Sequence, residues 1–182
     1  EGARAKRNRS ERYLYETLGD ITRRNAFEAI GAHWSSSVEQ IQEGYKKIKH
    51  RSRLERFEPY MDSRIRELFD QVHERLDALW VELKVERNRK EIRGKFVEVG
   101  QLRMASDLLH SQGGMARYKN DFALARVCYV RVLELDPGGP AGAENIAAAK
   151  RALKDPQLSA SAVADAGVDM VDLQRRLDAA IG

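Results

Sequence analysis

The chain has 182 residues, 42% hydrophobic and 33% charged, with a formal charge of +4 and one cysteine. Such a balance fits one or two small globular domains with a buried core, and excludes a low-complexity chain or a disulfide-stapled scaffold. No apolar run approaches the ~20 residues needed to cross a bilayer, and the opening Glu1-Gly2-Ala3-Arg4-Ala5-Lys6-Arg7 lacks the apolar stretch of a secretory signal, so the expected setting is cytoplasmic, without membrane insertion.

Helix is expected nearly throughout, because only four prolines occur, at 59, 137, 140 and 156, and no segment alternates with period two between turn residues. Ser10 caps a first helix running to about Arg24, with Tyr13, Leu14, Leu18 and Ile21 on one stripe and a partner expected upstream of the chain. The missing initiator Met agrees with a fragment or a processed product. A short second helix covers residues 26–30 and stops at Gly31. Ser36 with Glu39 forms a capping box, opening a helix that carries Val38, Ile41, Tyr45 and Ile48 on its apolar face and ends near His50.

After a loop over residues 51–62, Ile65, Leu68, Phe69, Val72, Leu76, Leu79, Trp80 and Leu83 recur at spacings of three and four, the strongest helical signal in the chain. With no proline to break it, this helix is expected to continue through Ile92 to Gly94. It pairs antiparallel with the preceding helix, with Tyr45 and Ile48 packed toward Phe69 and Val72. The whole positive excess falls in residues 1–100, and residues 101–182 balance, which places a boundary near residue 100.

Pro140 opens a helix to about Leu153. Residues 154–167, rich in Ala, Ser, Asp and Gly, read as a linker. A final helix presents Met170, Leu173, Leu177 and Ile181 on one side, either folded back on the body or docked on another subunit or partner, so self-association through this helix is one alternative.

Three segments carry a family signature: Asn25-Ala26-Phe27-Glu28-Ala29-Ile30-Gly31, then Ile41-Gln42-Glu43-Gly44-Tyr45-Lys46-Lys47-Ile48-Lys49, then the amphipathic run ending in Asn88-Arg89-Lys90-Glu91-Ile92. Together they resemble the J domain of the DnaJ co-chaperone family. In that family a His-Pro-Asp tripeptide lies eight residues after the second-helix tyrosine. Counted from Tyr45, those slots hold Arg53, Leu54 and Glu55, and none matches. The resemblance therefore implies a J fold that does not trigger ATP hydrolysis in a DnaK-type partner. Leu54 lacks the fixed backbone angle of proline. Glu55 carries its carboxylate one methylene further out, and His50, three residues before the slot, is followed by Arg51-Ser52.

Gly113, Asp121-Phe122, Ala125, Tyr129 and Pro137 fall where the tetratricopeptide repeat places its first-helix glycine, turn, second-helix alanine, aromatic and closing proline, although Ala116 and Val132 depart from the pattern. This resembles one repeat over residues 106–139, whose open face a neighbour must cover. The expected fold class is thus all-α: a J-domain-like hairpin, then a repeat-like helix pair and a C-terminal helix. The domains are 1–24 (N-terminal helix), 25–95 (J-like), 96–153 (repeat-like with its capping helix), 154–167 (linker) and 168–182 (amphipathic helix).

Residues 46–56 carry six basic residues against one acid, and residues 84–95 six against two. Lys46, Lys47, Lys49, Arg51 and Arg53 form the face that J domains present to an acidic chaperone surface, and are the candidate protein-binding residues; a merely solvated charged face is the competing reading. The surface is too nearly balanced, and too short of aromatic platforms or a recognition helix, for nucleic acid to be the expected partner.

No catalytic constellation is visible. His33, His50, His73 and His110 are scattered without metal-ligand spacing, and no phosphate-cradling loop or Gly-x-Ser-x-Gly elbow occurs. Cys128, among Val127, Tyr129 and Val130, reads as a packed side chain. Catalytic residues, cofactors and metals are therefore not expected. The expected role is a non-catalytic protein-interaction scaffold, like the bacterial signalling and scaffold proteins that pair such modules. An active DnaJ-type co-chaperone and a nucleic-acid-binding helical protein are the alternatives.

Overall fold

The computed structural model describes residues 2–160 and 170–181. Among them every regular element is helical, so the fold is all-α. The chain divides into two compact units, Glu1–Arg89 and Lys90–Gly182. The division falls ahead of the boundary that the charge distribution marks near residue 100, and the N-terminal helix belongs to the first unit.

That unit contains α1 (Ala3–Arg23), α2 (Ala26–Ala29), α3 (Val38–Arg51), α4 (Leu54–Phe57) and α5 (Ser63–Leu83). Helix α5 is its axis. Ile65, Leu68, Val72, Leu76, Leu79 and Leu83 are all buried, and α1, α2 and α3 pack on it. The partner of α1 is therefore inside the chain. Ser10 lies within α1, which starts after Gly2 because the Ala, Arg and Lys residues ahead of Ser10 are good helix formers. Arg7 reaches the α5 cap Asp62 (Nη2–Oδ2 2.5 Å), which sets the starts of the two helices together.

Asn25 caps α2 by accepting from the amides of Phe27 and Glu28, and the chain then reverses at Gly31, whose φ of 73° suits glycine. The capping box of α3 is one residue later than expected, on Ser37 and Gln40. Ser36 is diverted, its hydroxyl accepting from the His33 amide at 3.1 Å.

Helices α3 and α5 do run antiparallel, but in a different register. Tyr45 stacks on Trp80 (centroids 5.6 Å apart) and donates to Asp77, while Phe69 packs against Phe57 and His73. The cause is the segment read as a loop. It coils into α4 and a 3-10 turn (Glu58–Tyr60), burying Phe57 between Tyr13 and Phe69 and bringing the end of α3 against His73.

The expected continuous helix to residue 92 is broken after Leu83, and α6 (Glu86–Arg93) follows. Here side chains replace proline as the breaker. Asn88 donates to the Glu82 carbonyl, and buried Arg89 donates to the carbonyls of Leu83 (2.8 Å) and Lys84 (3.0 Å), closing the end of α5.

The second unit is built on the packed pair α7 (Val99–Tyr118) and α8 (Phe122–Glu134), joined by a turn in which Asn120 has φ 60° and Asp121 caps α8. A Cβ on Gly113 would lie 3.1 Å from the Tyr129 ring and 3.2 Å from Cys128 Cβ, so the helices close on a bare backbone. Arg93 reaches Glu134 at 3.0 Å, both buried. Pro140 sits in a 3-10 turn (Gly139–Ala141), and the next helix, α9 (Ala143–Ala152), starts later than expected and covers α8. The first part of the expected linker is instead a helix, α10 (Pro156–Ala160), which buries Leu158 on α8; residues 161–169 of that linker lie outside the described residues. Helix α11 (Met170–Ile181) packs on α7, burying Leu173, Leu177 and Ile181.

Candidate functional site: a cationic corner

Where α3 ends, its last carbonyl groups lose their intrahelical partners and must find others. Apart from the Ser52 amide, side chains supply them. The Ser52 amide and hydroxyl both donate to the Ile48 carbonyl, at 2.9 and 2.7 Å. Arg53 Nη1 donates to the His50 carbonyl at 3.0 Å and lies 3.0 Å from His50 Nε2. Arg56 Nη1 donates to the Arg51 carbonyl at 2.9 Å. From α5, His73 Nε2 stands 2.7 Å from the Ser52 carbonyl, so the imidazole donates there. Cations at a helix C-terminus also meet the negative end of its dipole.

Behind this corner, a polar ladder fixes α3 to α5. Lys49 Nζ lies 2.7 Å from Asp77 and 3.0 Å from His73 Nδ1, and the Tyr45 hydroxyl donates to Asp77 at 2.7 Å. Burial and the Asp77 contact push the Tyr45 phenol up to about 12. For Asp77, partial burial favours the neutral acid, but the bonds from Lys49 and Tyr45 outweigh it and hold the carboxyl below its ordinary value.

The predicted basic face thus separates into two parts. Lys46, Lys47, Arg51 and Arg53 are exposed, and Lys46 makes one loose pair with Glu43 at 3.7 Å. Lys49 is turned inward onto Asp77 and is not on the face. Arg56, absent from the predicted site, belongs to it: its guanidinium lies 4.4 Å over the Tyr13 ring. The charge run over residues 46–56 already held that arginine, but only the α4 turn shows that it points back to α3.

Of the tripeptide slots, Arg53 is the cap position of α4 and also closes α3, while Leu54 and Glu55 are exposed in the first turn of α4. In the C-terminal stripe, Leu173, Leu177 and Ile181 are buried where α11 packs on α7; Met170 opens α11, and its side chain lies outside the described residues. Cys128 is fully buried, and burial pushes its thiol up to about 12, away from nucleophilic use. Among the described residues no group of His, Cys, Asp and Glu has metal-binding geometry, and no helix is long and apolar enough to cross a membrane.

Comparison of the chain with protein-family models, with curated proteins and with solved structures finds no match in any of the three.

Proposed function

We propose that this protein is a non-catalytic interaction module, in which a J-like first unit has lost the ability to stimulate a DnaK-type ATPase and binds another protein through the exposed cations Lys46, Lys47, Arg51 and Arg53, beside a repeat-like second unit. The observation that carries this reading is the use made of Arg53. The side chain in the slot of the family's histidine is engaged in closing α3, while the cations around it remain on the surface. A surface of this kind speeds encounter with an acidic partner and selects it, and its binding weakens with salt.

Single-turnover ATP hydrolysis by a DnaK-type chaperone, with and without this chain, tests the first half; the expected result is no acceleration above background. Acceleration would instead establish an active co-chaperone. The second half is tested by affinity capture with Lys46→Glu, Lys47→Glu and Arg53→Glu combined. Retention of every captured partner would show that the binding face lies elsewhere.

A further inference from the structure

The corner at the end of α3 holds two guanidinium groups in fixed positions, and their remaining donors have no recorded partner in the protein. Arg53 and Arg56 each use Nη1 on one of two consecutive backbone carbonyls, those of His50 and Arg51. Each guanidinium has five N–H donors in a planar fork, so the edge formed by Nε and Nη2 stays available for two oxygen atoms. Tyr13 beneath Arg56 further restricts that side chain. Arg51 and Lys47 are exposed nearby on α3, and no carboxylate forms an ion pair with Lys47, Arg51, Arg53 or Arg56 among the described residues. Glu55 and Glu58 are exposed on the same turn and remain outside these contacts.

We infer that this corner, formed by His50, Arg51, Arg53 and Arg56, is an anion site that recognises a phosphorylated side chain on a partner polypeptide. The inference rests on the proposed interaction role and adds the chemistry of the partner. Capping, with the His50 ring contact of Arg53, accounts for Nη1 of each arginine. It does not account for two cations on neighbouring carbonyls without a neutralising acid, an arrangement in which like charges repel until an anion arrives. Flexible lysines on a surface suit a diffuse field such as an anionic bilayer. Guanidinium groups anchored to backbone suit one compact, multiply charged group, because little side-chain freedom is left to lose on binding. Phosphate, with its charge near −2 and three acceptor oxygens, fits that description better than a single carboxylate.

The test uses the whole chain and a neutral Gly/Ala heptapeptide bearing one central phosphoserine, with matched serine and glutamate peptides, inorganic phosphate, and phosphatidylcholine vesicles containing phosphatidylserine. Binding is followed by fluorescence anisotropy and by amide chemical shifts at constant ionic strength. The expected result is that the phosphopeptide binds at least about tenfold more tightly than either matched peptide, that inorganic phosphate competes, and that shifts concentrate at residues 50–57. Arg53→Lys with Arg56→Lys keeps the charge but removes the forks, and should weaken phosphopeptide binding about tenfold at a temperature where its melting curve shows the variant fully folded. Equal binding of the glutamate peptide, undiminished binding by the lysine variant, or binding to vesicles without binding to the phosphopeptide overturns the inference. If charge reversal still abolishes partner capture while the phosphopeptide does not bind, only the phosphate chemistry falls. If ATP turnover is accelerated, the proposed function falls by itself.

Discussion

Replacing Gly44 by alanine should destabilise the first unit, although helix propensity alone points the other way. Gly44 lies in the middle of α3, where alanine is favoured by about 1 kcal/mol. Its added Cβ, however, would stand 2.2 Å from the Ile30 carbonyl oxygen and 3.3 Å from the carbonyl carbon. Comfortable carbon-to-oxygen contact is about 3.3 Å, so the overlap is about 1 Å. The obstacle is backbone at the end of α2, held by the turn at Gly31, and cannot rotate aside as a side chain would. To make room, α2 must retreat from α3, loosening Phe27, Ile30 and Ile41, each fully buried. Overpacking costs about 1–3 kcal/mol, more when rigid atoms oppose it, and we expect a net loss of about 2 kcal/mol after the propensity gain. Both tryptophans, Trp34 and Trp80, belong to the first unit, so urea unfolding followed by tryptophan fluorescence reads that unit directly. The midpoint should fall by roughly 1–2 M. An unchanged or raised midpoint would mean that α3 does not rest on the Ile30 carbonyl, and the argument for how α2 positions α3 would fail.

In the second unit, adjacent glycines should respond oppositely. Gly114→Ala is exposed and should stabilise by up to about 1 kcal/mol, whereas Gly113→Ala meets Tyr129 and Cys128 and should be about 1–2 kcal/mol worse than its neighbour; circular dichroism melting of the two variants that shows equal shifts would count against the close α7–α8 approach. Cys128 should resist Ellman's reagent in the native protein at pH 8 and react with one equivalent in urea, because its thiol is buried and raised to about 12; rapid native reaction would contradict this burial. The Tyr45–Asp77 contact should contribute over a bounded pH range. The Asp77 carboxyl is lowered in the fold, so its contribution is present above its ordinary 3.8 and is lost as pH falls through the folded value. The Tyr45 phenol is raised, so its contribution is present below 10 and is lost as pH rises through about 12. Asp77→Asn should therefore cost more stability at pH 6 than at pH 3, by less than about 1 kcal/mol because Asp77 is half exposed; an equal cost at both pH values would remove the carboxylate from the account.

Helical periodicity was written plainly in the chain. The spacing of Ile65, Leu68, Val72, Leu76, Leu79 and Leu83 marks the buried stripe of α5 without reference to any partner, because a 3.6-residue turn returns every third or fourth side chain to one face. Gly31, the turn at Asp121 and the closeness demanded at Gly113 are likewise local, since each depends on one residue's backbone or missing side chain. Which helices meet was not local. The partner of α1 is α5, and the register of α3 on α5 depends on Phe57, whose burial between Tyr13 and Phe69 joins residues more than forty positions apart.

The candidate site divides in the same way. Charge density over residues 46–56 is visible in composition, because it needs only counting. Whether a given cation faces solvent or a carboxylate depends on what stands opposite. Lys49 was indistinguishable from Lys46 and Lys47 until Asp77 came within 2.7 Å, and Arg56 joined the corner only once α4 turned it toward the Arg51 carbonyl. One-dimensional pattern determined that this chain is helical and where its apolar faces and charges lie. Three-dimensional packing decided which charges are neutralised, because electrostatic and hydrogen-bonding partners are chosen by distance in space, across separations that no sequence window spans.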